Sequence, residues 1–132
     1  MKITKLSKQR LTLSASRWSV CKEYFDPLYN YLVYGFEPGS FWSAVLANDF
    51  WRAMQASHPS NDIPHLKNVV GWMRDSFPPE SYGSYEQLQE WIRLTGSQRR
   101  LRLEAASLIY TEQEEIMLGL KGVQAKPEPI LW

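Results

Sequence analysis

A single cysteine, Cys21, stands in 132 residues, and there are only two histidines, His58 and His65. One cysteine excludes an internal disulfide and fits a reducing compartment. Neither His-x-x-x-His nor Cys-x-x-Cys occurs, so the usual metal-ligand spacings are missing and no metal or other cofactor is expected. No apolar run approaches the ~20 residues of a membrane helix, and the lysines near the N-terminus lack the continuous apolar stretch of a secretory signal. A soluble protein without membrane contact is expected, with the cytoplasm as its compartment. Excess charge is lacking too. A formal net charge of +1 gives no global field toward nucleic acid or membrane.

Large aromatic rings are abundant. They make up 14 % of the chain and include six tryptophans. A chain of this length forms one core and buries roughly two-thirds of its unfolded surface, so some rings are expected to be left for a partner or a second copy.

The pattern along the chain predicts an all-α fold: a compact bundle of about five helices over residues 24–122, a basic N-terminal arm over 1–23 and a short tail over 123–132. The arm is Ser-rich and carries Lys2, Lys5, Lys8, Arg10, Arg17 and Lys22 before the first acidic residue, Glu23. Arg10-Leu11-Thr12-Leu13-Ser14 alternates as a short strand does, but a lone strand has nothing to pair with, so an extended arm is expected. Asp26 as cap and Pro27 at the first helical position predict a helix ending at Gly35. Pro38-Gly39-Ser40 then supplies a turn and a cap. The next helix is expected from Phe41 to about Ser57 as the centre of the bundle, with Trp42, Leu46 and Phe50 on one edge of a wide apolar arc and Ala44, Ala47, Trp51 and Met54 on the other.

A third helix follows a cap at Asn61 or Asp62, with Leu66, Val69, Val70, Met73 and Phe77 as its core stripe. Ser84 and Gln87 have capping-box spacing for a fourth, with Tyr85, Leu88, Trp91 and Ile92 on one face. Residues 97–121 are one continuous helix or two, with a break near Tyr110 and a second capping-box pair at Thr111 and Glu114.

Three segments carry a resemblance: Phe36-Glu37-Pro38-Gly39-Ser40-Phe41 running into Ala44-Val45-Leu46-Ala47-Asn48-Asp49-Phe50; Asn61-Asp62-Ile63; and Gly83-Ser84-Tyr85-Glu86-Gln87-Leu88-Gln89-Glu90-Trp91. Together they resemble a family of small tailed-bacteriophage proteins with Pro-Gly-Ser-Phe, Val-Leu-x-Asn-Asp and Gly-Ser-x-Glu-x-x-x-x-Trp patterns. Those relatives often have Pro after Gly-Ser, where this chain has Tyr85. The resemblance spans about Tyr24 to Ile92 and rests on turn, cap and core residues. It implies a phage gene acting in a bacterial host cytoplasm and brings no activity with it. Small accessory proteins of phages often bind host proteins, defence components included.

Each candidate for chemistry has an ordinary structural alternative. Cys21 lacks a marked base nearby, although Lys22 could lower its pKa. Asp26 and Asp49 could pair for acid–base work. The helix start at Gly39-Ser40 could hold an anion. Asn48, Asp49 and Arg52 form either a buried polar network joining the first two helices or, if exposed, a recognition patch; the buried network is the expectation. Arg99, Arg100 and Arg102, with Arg93 nearby, could contact phosphates together with the arm. Trp18, Trp72, Trp132 and Tyr82 fall off the projected core stripes, and exposed rings with arginine anchor interfaces.

The expectation is therefore a non-enzymatic phage accessory protein that binds and modulates or inhibits a host protein, plausibly a defence component. Trp72, His65, Arg99, Arg100, Arg102 and Trp18 are its interface candidates, and a homodimer is a further possibility. The alternative is a nucleic-acid-binding accessory protein that uses the arm and the Arg99/Arg100/Arg102 cluster.

Overall fold

A computed structural model describes residues 1–58 and 61–120, and the predicted tail at 123–132, with Trp132, lies outside them. Among the described residues the fold is all-helical: α1 (Lys5–Ser16), α2 (Lys22–Tyr34), α3 (Ser40–Leu46), α4 (Phe50–Ala56), α5 (Ile63–Ser76), α6 (Tyr85–Arg93), α7 (Gly96–Ala105) and α8 (Glu112–Leu120), with a single 3-10 turn at Pro79–Ser81 between α5 and α6. More helices form than the five expected, because two predicted elements divide and the predicted arm folds.

The arm is the largest correction. Lys5–Ser16 is a helix capped by Thr4, whose hydroxyl accepts from the Ser7 amide at 3.2 Å. Ser7, Leu11, Thr12, Ser14 and Ala15 are its buried positions, and four of them, Ser7, Leu11, Ser14 and Ala15, are spaced i, i+4, i+7 and i+8 as one helical face requires. Three of the five carry hydroxyls, so the face does not register as apolar. Their hydroxyls meet specific partners instead. Ser14 Oγ accepts from the Trp72 indole N–H at 2.9 Å, and Ser7 Oγ accepts from the Tyr110 amide at 3.1 Å and donates to Glu115 Oε2 at 2.6 Å.

The first predicted helix exists but begins earlier, at Lys22, which puts Asp26 and Pro27 inside α2. Pro27 has no N–H to offer the Glu23 carbonyl one turn back. Gly35 closes α2 in the left-handed region at φ 70, as expected. α2 takes the central position that the sequence assigned to 41–57. Phe25, Leu28, Tyr29, Tyr31, Leu32 and Val33 are all buried, giving two contiguous apolar flanks. Trp91 Nε1–H donates to the Tyr31 carbonyl at 3.1 Å, and the Tyr31 hydroxyl donates to the Ser81 carbonyl at 2.7 Å.

The expected 41–57 helix is two helices. Asn48 sits at φ 61, the left-handed region that Asn tolerates better than most side chains. Asp49 then caps α4, accepting from the Arg52 amide at 3.2 Å. The 97–121 stretch also divides: Ser107 takes φ 60, the Leu108 amide closes back on the Leu103 carbonyl at 3.1 Å, and Thr111 and Glu114 cap α8 reciprocally at 3.1 and 3.0 Å. The α5 stripe is rotated from its prediction. Val69, Met73 and Phe77 are buried as expected, while Trp72 turns inward beside them and Val70 faces out.

Candidate functional site

The bend between α3 and α4 shapes the surface. Had 41–57 been continuous, Phe50 and Met54 would have stayed on the core arc. The turn at Asn48-Asp49 swings α4 away, leaving Phe50 74 % and Trp51 73 % exposed. The corner is pinned on its far side: the Gly83 amide donates to the Leu46 carbonyl at 2.7 Å, and the Tyr85 hydroxyl donates to Asp49 Oδ2 at 2.7 Å. The Tyr85 hydroxyl and then the Arg52 amide hold the Asp49 carboxyl below its ordinary pKa. Asn48 and Arg52 are exposed and Asp49 half-buried. The expected buried network is thus a solvent-facing corner, joined to α6 rather than to the first helices.

Between this corner and α5 runs an open groove of about 660 Å³. Buried Trp42, Ala44, Ala53 and Gly71 lie toward its base, with half-buried Trp18, while Phe50, Met54, Ile63 and Val70 stand around its rim. Trp18 can lie against α5 only because residue 71 is glycine: a Cβ there would run into the indole ring. The charged groups lining the groove are Asp49, already engaged, and Lys67 and Arg74, neither of which has an ion-pair partner among the described residues.

The six interface candidates are dispersed. Trp18 reaches the groove. His65 is exposed on the first turn of α5, its Nδ1 3.4 Å from Asp62 Oδ2. Trp72 is 0 % exposed, stacked on Phe25 and edge-on to Phe77, which corrects its assignment to the surface.

Arg99 and Arg100 are 7 % and 8 % exposed, so neither presents a guanidinium to a ligand. Arg99 Nε donates to the Val33 carbonyl at 3.1 Å and Nη1 donates to the Leu94 carbonyl. It serves the C-terminal ends of α2 and α6, where carbonyls lack helical partners and the helix dipole is negative. Arg100 donates to Glu104 Oε2 at 2.9 Å, to the Lys2 carbonyl at 3.0 Å and to Glu115 Oε1. Arg102 is half-buried. With the arm folded as α1, the residues assigned to phosphate contact do not form one basic surface.

Among the described residues no three His, Cys, Asp or Glu side chains gather where one ion could sit, and no helix is long and apolar enough to cross a membrane. Burial, with Glu23 nearby, pushes the Cys21 thiol above its ordinary pKa, opposite to what an activated thiolate needs.

Sequence reasoning missed Phe50, Met54 and Val70, which it placed in the core, and did not single out Ile63 or Lys67. The signal for the first two was present in Leu46-Ala47-Asn48-Asp49: a left-handed-tolerant Asn followed by an Asp cap is a stop and a restart.

The fold and groove define a small all-helical protein with an open apolar trough and a basic edge. Compared with known proteins, the chain matches no family, no curated protein and no solved structure.

Proposed function

We propose that this chain is a non-enzymatic accessory protein that binds another protein through the groove between α4 and α5. Its sequence resemblance points to a phage gene, so the partner is a bacterial host protein, and inhibition of a defence component is one form the interaction takes. One observation carries the reading. Phe50, Met54, Ile63 and Val70 are all exposed large apolar side chains and line one groove. An apolar patch of this kind, rimmed by charge, is the usual mark of a recognition surface.

The test uses the full chain as bait in bacterial lysate, beside a Phe50→Asp, Val70→Asp variant whose melting curve confirms folding. A protein retained by the first and lost by the second is then purified and titrated against both by calorimetry. Saturable binding to the unaltered chain alone supports the reading. Equal retention by both baits, or no saturable binding, rejects it.

A further inference from the structure

We infer that the groove takes a helix of the partner about three turns long, apolar on one face and flanked there by carboxylates that pair with Lys67 and Arg74. This rests on the groove being the binding site. On α5, Ile63, Lys67, Val70 and Arg74 follow one another at i, i+4, i+7 and i+11 and are all exposed, so they form a single stripe along the helix. At 1.5 Å per residue the stripe is about 16 Å long, the length of about three helical turns. It alternates apolar and basic. Phe50 and Met54, four apart on α4, face the groove from the other wall. A helix laid in such a trough presents apolar anchors at the same i, i+3/i+4, i+7 spacing.

The charges set the chemistry of its flanks. Asp49 is the acidic residue of the lining, and its two oxygens already accept from Tyr85 and from the Arg52 amide. Lys67 and Arg74 are unpaired among the described residues and two turns apart on one helix. An occupant with an apolar or basic flank would desolvate these cations without compensation. Carboxylates seven residues apart on a helix running alongside α5 meet both. A small apolar molecule fits less well, because the exposed side chains of the rim stand along the full stripe rather than closing over a cavity.

The probes are two fluorescent-labelled synthetic helices, each about fourteen residues long. Both carry leucines at i, i+4, i+7 and i+11, flanked in one by glutamates and in the other by lysines. Fluorescence anisotropy at low ionic strength should show the glutamate helix binding about fivefold tighter or more, and the margin should shrink as salt rises. Lys67→Glu with Arg74→Glu should reverse the preference, and both side chains are exposed, so the fold tolerates the change.

Equal affinities, a preference unmoved by the charge reversal, or no saturation by the glutamate helix up to about 1 mM would overturn the inference. The reading of the groove as the binding site survives those results if the Phe50→Asp, Val70→Asp variant still loses the lysate partner, and falls separately if it does not. Sedimentation adds one further outcome: a dimer of the unaltered chain that Phe50→Asp dissociates would make a second copy the occupant and overturn the inference.

Discussion

The indole N–H of Trp72 donates to Ser14 Oγ at 2.9 Å, while the Ser14 hydroxyl donates to the Leu11 carbonyl at 2.6 Å. This chain of bonds crosses from α5 to α1 inside the core and makes residues 5–16 a structural part of the fold. Ser14→Ala leaves a fully buried indole N–H without its acceptor, which costs about 1–3 kcal/mol. Urea denaturation of the variant should show a lower midpoint with an unchanged slope. A midpoint equal to that of the parent would mean that α1 is dispensable, as an arm would be.

Gly71 gives a test in which two effects have opposite signs. In mid-helix, Gly→Ala ordinarily stabilises by about 1 kcal/mol. Here the new Cβ meets the Trp18 ring, and overpacking of this kind costs about 1–3 kcal/mol. Gly71→Ala is therefore expected to lower the melting temperature, and in a Trp18→Ala background the same substitution should raise it. A rise in both backgrounds would show that Trp18 does not lie on α5.

Arg99 joins the ends of two helices through carbonyls, with no carboxylate partner among the described residues. Burial lowers the pKa of its guanidinium, and its hydrogen bonds to carbonyl oxygens are charge-assisted, which makes them stronger than neutral pairs. Arg99→Ala should destabilise the protein by about 2–3 kcal/mol. Arg99→Lys should recover only part of that, because an ammonium lacks the planar fork that reaches both carbonyls. Full recovery by lysine in chemical denaturation would show that charge alone is sufficient.

Glu115 fastens α8 to α1 and α7. Burial by itself would raise its pKa, but hydroxyl donors from Ser7 and Thr4 and the Arg100 guanidinium outweigh burial and hold it below the ordinary 4.5. A carboxyl depressed in the folded state contributes stability that is fully present above its unfolded pKa and lost as pH falls through the folded value. The melting temperature of the parent should thus fall on acidification below about pH 4.5. Glu115→Gln should lower it at neutral pH and flatten the acid limb. An acid limb of the same steepness in the glutamine variant would assign the loss to other carboxylates.

Much of the local structure is legible in the residues. Gly35 as a helix end, the Ser84 cap, the Thr111–Glu114 capping box and the break near Tyr110 all follow from short-range chemistry: a cap bonds an amide two or three residues away, and a left-handed residue ends a helix whatever lies beyond it. The serine face of α1 escaped because its partners, Trp72, Tyr110 and Glu115, are 58 to 108 residues away. The groove escaped for a related reason. Phe50 reads as core whenever the helix carrying it is drawn straight, and only the corner at Asn48-Asp49 turns it out.

Alone, the sequence determined that the chain is helical, where many of its helices start and stop, and that it carries more aromatic surface than routine packing would predict. Tertiary structure decided which rings went inside. Trp72, Phe25 and Trp91 were taken up by the core around α2, Arg99 and Arg100 were drawn in as partners for carbonyls and carboxylates, and Phe50, Ile63 and Val70 were left facing water. Helical periodicity assigns a residue to a face of its own helix, but whether that face meets protein or solvent depends on where the other helices lie, and this is fixed by contacts distant in the chain.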